Sequence, residues 1–412
     1  MIDENTKIAS YAGLIALLML FVSAGLAQTF MIPDGKTDLV GEVFTVQIEG
    51  EETLLDIARK YDLGYNEIIA ANPGIDPWLP GIGQSVVVPQ QFILPSAPRI
   101  GIIINLSEMR LYYYPKNDQP TSGSDAEVMT FPLGVGIEGW STPLGKLHIV
   151  EKIKDPAWTV PDSILAEYVK EGYPLNKVVP AGADNPLGAF ALRLSNPSYL
   201  IHGTNQPYGV GRRISHGCLR MYPEDIEQLY TLVSEGVAVN IINQSYKAGV
   251  VNNKLYIEAH EPVVEDDQSL TIDPQKFASA VISVLPGEKQ AAVEQQLNSI
   301  LDQRSGIPEY IQVLGDPVQA ALVVDMADGW HLQIGAFRLR DNALNLSARV
   351  EKLNIPVNVL ARIDDGYCHV LTGPFEDKKT ANEAARVLAE TIGITGTLIP
   401  AGRHGNLATC QN

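Results

Sequence analysis

Three features of the 412-residue sequence predict an α+β chain of several domains. Residues 100–259 hold most of the strand-forming runs, a short strand-helix-helix-strand plan precedes them, and a duplicated strand-helix-strand unit follows. At this length one hydrophobic core does not suffice, so two or three domains are expected.

Composition narrows the partners. Apolar residues make up 45% of the chain, as in a globular protein, and the formal net charge is -18. That sign disfavours nucleic acid or an anionic membrane surface, since both call for a basic field. Neutral or zwitterionic partners such as glycans and peptides remain.

Residues 8–27 are a nearly uninterrupted apolar run ending in Ser23, Ala24, Gly25, Leu26 and Ala27, a small-residue pattern that suits export cleavage ahead of Gln28. Asp3 and Glu4 offset Lys7 where a positive flank is usual. Residues 1–27 are therefore expected to be a signal peptide or, because the run is just long enough to cross a bilayer, an uncleaved anchor. The chain has only three cysteines. If two of them pair in an exported protein, Cys368 and Cys410 are the better choice, which leaves Cys218 free.

In residues 43–90, a strand near Val46 precedes Leu54, Ile57 and Ala58 at helical spacing. A second helical run ends at Asn72 and Pro73, and Val86 to Pro89 closes as a strand. This stretch resembles a LysM glycan-binding module at Thr53-Leu54, Ile57-Ala58, Asn72-Pro73, Pro80-Gly81 and Val88-Pro89, with the turn at Gly50-Glu51-Glu52-Thr53 one residue longer than usual. The resemblance implies carbohydrate contact; a spacer that positions the next domain is the competing reading.

A proline-spaced link leads to the domain expected at 98–261. Residues 101–106, 110–114 and 128–132 read as strands rich in β-branched and aromatic residues, the first apolar enough to be buried on both faces. Residues 155–188, dense in proline and glycine with one helical piece near 164–170, read as a long binding excursion. Strands are expected at 189–194 and 199–201, then a helix opening at Pro223 with Glu224 and Asp225 in its first turn, then strands at 237–242 and 255–259. Residues 262–325 read as a helical linker.

The last part, 326–402, contains a repeat: Ile334-Gly335-Ala336-Phe337 returns as Thr372-Gly373-Pro374-Phe375, each after a strand and before a helix. Two such units fold together as a ferredoxin-like sheet with two helices. The repeat resembles a SPOR domain, a family that binds peptidoglycan glycan strands, with Ala336 where serine is common and His369 where a basic residue is common.

Chemistry concentrates at 201–220, IHGTNQPYGVGRRISHGCLR. Cys218 needs a nearby imidazole to attack as thiolate, and His202 and His216 are on offer. Residues two apart on an extended chain share a face, so His216 and Cys218 point the same way, with Gly217 leaving bare backbone between them. The chain from Asn205 to Arg213 can fold back to bring His202, at a strand end, to the thiol, and Gly203 keeps that approach open. Nucleophile, base and backbone amides are the parts for acyl transfer. A zinc site is the main competitor, but no fourth ligand stands at suitable spacing.

The sequence His202, about a dozen residues, then Ser215-His216-Gly217-Cys218 resembles the L,D-transpeptidase catalytic (YkuD) family, as do Thr142-Pro143-Leu144-Gly145 and Asn185-Pro186-Leu187-Gly188. With the module in front, the likeness is to the periplasmic branch called ErfK/YbiS/YcfS/YnhG. It implies a β-rich sandwich with a mixed sheet, no cofactor, and attack by Cys218 on a tetrapeptide stem between diaminopimelate and terminal D-alanine. An amine of another stem or of an envelope lipoprotein would then take the acyl group. On this chain the resemblance makes His202 the base, has His216 assist, gives the oxyanion to the amides of Gly217 and Cys218, and has Ser215 orient a histidine. Arg220, with Gly203 and Thr204, would meet substrate, Arg220 either holding its carboxylate or bracing the loop; Arg212 and Arg213 are more weakly placed. With water as acceptor the same constellation is a carboxypeptidase or lipoprotein-releasing hydrolase, and a non-catalytic peptidoglycan-binding scaffold is the alternative of another class.

Overall fold

The computed structural model describes residues 28–33, 37–115, 125–137, 139–140, 142–170, 172, 176–251, 254–263, 273–283, 290–311, 330–353, 357–362, 367–375, 378–400 and 407–409. Residues 1–27 and Cys410 lie outside them.

Strand β1 (Gln28–Ile32) comes first, then β2 (Leu39–Gln47), α1 (Leu54–Lys60), α2 (Tyr65–Ala70) and β3 (Ser85–Ile93). Thr53 starts α1 through a reciprocal cap: its hydroxyl accepts the Asp56 N–H at 3.1 Å, and the Asp56 carboxylate accepts the Thr53 N–H at 2.9 Å. Asn72 ends α2, donating to the Ile68 carbonyl and accepting from Val87 on β3. β2 and β3 pair antiparallel along their whole length.

The next unit runs β4 (Gly101–Asn105), β5 (Arg110–Tyr114), β6 (Ala126–Pro132), β7 (Val135–Gly136), β8 (Gly145–Lys154), β9 (Trp158–Thr159), α3 (Asp162–Lys170) and β10 (Val178–Val179). It continues through β11 (Phe190–Leu194), β12 (Leu200–His202), β13 (Arg213–Ser215), β14 (Leu219–Arg220), α4 (Pro223–Leu232) and β15 (Ala238–Ile242). Nine strands form one mixed sheet in the order β1-β6-β5-β4-β15-β8-β11-β12-β14, parallel at β4/β15 and β12/β14. Ten-residue β8 pairs with β15 through 145–148 and with β11 through 149–154, so it carries two half-sheets. Ile102, Ile104 and Leu111 from one half share a core with Leu192, Ile201 and Leu219 from the other.

Alternation sends the remaining side chains the other way. Ile103, Tyr112, Tyr114 and Val128 face the opposite side of the sheet and share a second core with Leu54, Ile57, Ile68 and Val88. The amino-terminal unit is thus built onto the sheet, and β1, which no local pattern announces, is part of that sheet through its pairing with β6.

In place of the helical linker expected at 262–325, the described residues there belong to a packed unit with its own sheet. β16 (Tyr246–Val251) and β17 (Lys254–Ala259) leave the nine-stranded sheet and pair with β18 (Glu309–Ile311). Between them α5 (Pro274–Ser283) and α6 (Gln290–Gln303) bring Phe277, Val281, Val293 and Leu297 onto Leu255 and Ile257. The helices are amphipathic because they cover a sheet face, and β17 belongs with them. The joint to the rest is a buried charge cluster: the Lys247 ammonium contacts Glu108 and lies 2.8 Å from Glu258, which also meets His260 at 2.5 Å.

The last unit consists of β19 (Trp330–Phe337), α7 (Arg340–Glu351), β20 (Val357–Arg362), β21 (Cys368–Phe375), α8 (Lys378–Ile392), β22 (Thr397–Pro400) and β23 (Leu407–Thr409). Its antiparallel sheet has the order β22-β19-β21-β20-β23. Cys368 is disulfide-bonded and Cys218 is free.

Candidate active site

β12 and β14 bring the two ends of the 201–220 segment side by side, with Ile201 opposite Leu219 and His202 opposite Arg220. Ile201 and Leu219 are wholly buried in the sheet core. The alternate residues Leu200, His202, Cys218 and Arg220 therefore share the other face. The folding back expected of residues 205–213 occurs, and it places Arg220 close enough to shift both His202 and Cys218 electrostatically.

His202 is 3% exposed. Its Nδ1 lies 2.6 Å from the Gly203 carbonyl, which can only accept, so Nδ1 carries the proton and Nε2 keeps its lone pair. Burial pushes the imidazole down to about 4, helped by the Arg220 charge, so the ring is neutral at any ordinary pH. The half-buried Cys218 thiol is pushed up by burial, while the Leu200 amide and Arg220 pull in the opposite direction. At rest the two groups are a neutral thiol and a neutral base. Arg220 is itself held down by burial, and its Nε has no hydrogen-bond partner among the described residues.

Gly217 has φ +96°, which only glycine adopts without strain. Thr142 holds the carbonyl of this peptide unit with a 2.9 Å bond from its hydroxyl. Ser215 does not orient a histidine as expected: its hydroxyl donates to the Cys218 carbonyl at 2.5 Å and its carbonyl accepts the Ile137 N–H at 2.9 Å. Both ends of Ser215 brace the turn that presents the thiol.

Packing also gives two neighbouring residues a structural part. A Cβ on Gly203 would lie 3.1 Å from Ile226 of α4, so the glycine serves close packing there. Thr204 is 4% exposed and its hydroxyl accepts the Gln206 N–H, which closes the following turn. Arg212 stacks on Tyr65 at 4.7 Å and Arg213 donates to the Gly136 carbonyl, so both arginines hold the loop.

His216 is flanked by groups that the motif alone did not reveal. Its Nε2 lies 2.9 Å from Glu167, and the Trp140 ring meets it edge-on at 4.9 Å. Glu167 sits on α3, within the proline- and glycine-rich excursion, and the next residue, Tyr168, is a charge neighbour of Arg220. The excursion is tied down by buried Asn185, which donates to the carbonyls of Pro156 and Pro180. Loop composition was the only signal for it.

The amino-terminal unit also reaches the site. The first N–H groups of α2, on Tyr65 and Asn66, donate to the carbonyls of Val210 and Gly211 at 3.0 Å each. Helix α2 thus carries the loop between His202 and Cys218 on its amino-terminal end.

Comparison with known proteins gives the family of two parts of the chain. The L,D-transpeptidase catalytic domain family matches residues 99–241 and the SPOR domain family matches 327–400. Among relatives, the probable L,D-transpeptidase YcfS of Escherichia coli (strain K12) is 38% identical over 290 residues, 68% of this chain and 88% of its own. The probable L,D-transpeptidase YbiS of the same strain is 38% identical over 296 residues, covering 70% and 93%. A crystal structure of L,D-transpeptidase 3 from Mycobacterium tuberculosis is 18% identical, covering 38% of this chain and 66% of that one, with a TM-score of 0.25.

Proposed function

The chain belongs to the L,D-transpeptidase family, and from that premise we propose that Cys218 is the nucleophile of a two-step acyl transfer on peptidoglycan. The thiol attacks the carbonyl at the L-centre of diaminopimelate in a tetrapeptide stem, His202 Nε2 takes its proton, and the bond to D-alanine breaks as that proton passes to the leaving amine. The thioester is then opened by an amine of another stem, the step that completes a transpeptidation. The amides of Gly217 and Cys218 receive the oxyanion, and the unpartnered Arg220 Nε is offered to a substrate carboxylate. The observation that carries the reading is a neutral base with its free nitrogen on the face that presents the only free cysteine among the described residues.

The surrounding units fit envelope work. The β2-α1-α2-β3 plan supports a LysM-like relationship, although its core is shared with the catalytic sheet. The strand order β22-β19-β21-β20 supports a ferredoxin-like SPOR domain that holds the enzyme on glycan. Export to the periplasm is the reading that residues 8–27 and the substrate support.

Incubation with a purified disaccharide tetrapeptide and mass spectrometry tests the proposal. Crosslinked dimer with released D-alanine is expected, and tripeptide alone would make water the acceptor. A lipoprotein acceptor would show as a stem joined to lysine in a separate incubation. Unchanged substrate, or equal turnover by Cys218→Ala, would sink it.

A further inference from the structure

Among the described residues, the buried carboxyls of Asp62 and Asp225 have no ion-pair partner of their own. Asp62 closes the turn between α1 and α2 at φ +54°, and Asp225 lies in the first turn of α4; they are 4% and 1% exposed. The two face each other, and beyond that contact Asp62 Oδ1 and both oxygens of Asp225 lack a donor among the described residues. The two described arginines beside them are already committed. Arg110 on β5 is paired with Glu67 on α2, and Arg59 on α1 with Glu224 on α4; Tyr222, before α4, donates its hydroxyl to the Leu63 carbonyl. Two acids are left over in the core, where an unpaired charge is strongly disfavoured.

The fourth oxygen, Asp62 Oδ2, receives a backbone N–H at 3.4 Å, and that N–H belongs to Gln28. Gln28 is the first residue of β1 and follows the small-residue run Ser23 to Ala27 that suits export cleavage. We propose that water hydrolyses the Ala27–Gln28 bond in an export peptidase, and that the Gln28 α-ammonium so released docks on the Asp62–Asp225 pair as its counter-ion. Hydrolysis leaves the Ala27 carboxylate on the leader and one positive charge where the structure has an amide donor. The proposal rests on the export reading and is independent of the acyl-transfer chemistry. It links removal of the leader to the turn before α2, the helix that carries the loop between His202 and Cys218.

Chemistry at Gln28 makes the idea specific. A free amino-terminal glutamine cyclises when its uncharged amine attacks its own side-chain amide and expels ammonia. An ammonium held by two carboxylates cannot do so.

The full chain, exported in a bacterial host and purified from its envelope, is analysed by intact mass and by its first peptide. The expected chain starts at Gln28 and keeps the side-chain amide. Its α-amine reacts with an amine-selective ester at neutral pH at least about tenfold more slowly than that of a chain carrying Ala-Ala before Gln28, the change produced by one unit of pKa. The extended chain also melts at lower temperature, and Asp225→Asn in the mature chain restores labelling. A different first residue, a retained leader, a cyclised Gln28, or equal labelling of mature and extended chains would each overturn the proposal. The comparison of those two chains stands even if Asp225→Asn does not fold.

Discussion

Replacing Glu67 by glutamine should cost this protein about 3 kcal/mol, the lower end of what removing one partner of a buried pair does. Arg110 is 1% exposed and cannot lose its proton. Its Nε and Nη2 reach the two Glu67 oxygens at 2.7 and 3.0 Å, Nη1 reaches Thr130 at 2.8 Å, and Nη2 also reaches the Asp62 carbonyl at 2.9 Å. Glutamine keeps one acceptor, turns an N–H₂ group toward the guanidinium, and removes the counter-charge. The loss stays near the lower end because the Asp62 carboxyl also lies in the Arg110 field. The Glu67 carboxylate further accepts the Gly64 N–H at 2.6 Å, so the start of α2 should loosen with it. Urea unfolding of the full chain gives the loss. Hydrogen exchange of peptides from β5 and α2 locates it, separating this unit from those after residue 243. Arg110→Met with Glu67→Leu should recover at least half, because packed apolar groups avoid the desolvation the pair endures. A loss below about 1 kcal/mol, or a double variant worse than Glu67→Gln, would refute the reasoning.

Three further outcomes concern the site. Gly217→Ala forces a side chain into φ +96° and turns the amides proposed to receive the oxyanion, so turnover on tetrapeptide should fall about 100-fold while the thiol stays titratable. Gly211→Ala puts a Cβ 2.1 Å from the Tyr65 nitrogen at φ +78°; expect a loss above about 2 kcal/mol and slower acylation of Cys218 by a carbapenem, read by mass. Glu167→Gln acts on a pair that is 23% and 42% exposed, so solvent screening limits the loss in kcat/KM to about three- to tenfold, with melting temperature unchanged.

Legibility varied with how local the determinant was. The run Gly101–Asn105 is apolar at almost every position because both its faces are covered, and it reads as a strand without help. Helix α4 announces itself by Pro223 and two acids. β8 does not, since its polar-apolar alternation breaks at Ile149-Val150, where the strand passes from one neighbour to the other. β17 reads as the end of the catalytic domain because nothing local says which helices will cover it, and β16 does not read as a strand at all. The motif located Cys218, His202 and His216, yet Glu167 lies 49 residues away from its histidine and only the folded excursion brings it there. Likewise Ser215 was expected to serve a histidine, because spacing cannot show which carbonyl its hydroxyl will meet.

The protonation states of Cys218 and His202 were also beyond the motif, and they give a prediction of their own. A cysteine beside histidines suggests a thiolate-imidazolium pair, which would make the thiol reactive from about pH 5 upward. Here burial dominates both groups: it pushes Cys218 up and His202 down to about 4. Alkylation of Cys218 by iodoacetamide should therefore keep rising with pH beyond the ordinary cysteine range, with no plateau at pH 6–8. A plateau there would mean an ion pair at rest and would overturn the neutral assignment. The same burial has a cost in acid. His202 binds its proton near pH 6.5 when unfolded and only near 4 when folded, so the unfolded chain holds more protons in between. Its contribution to stability is thus complete above pH 6.5 and is lost progressively as pH falls toward 4. His202→Gln keeps a neutral polar side chain and should flatten that part of the melting-temperature profile. On the proposed mechanism the proton then leaves the thiol only when substrate arrives, and Arg220 with the amides of Gly217 and Cys218 would favour the charge as it forms.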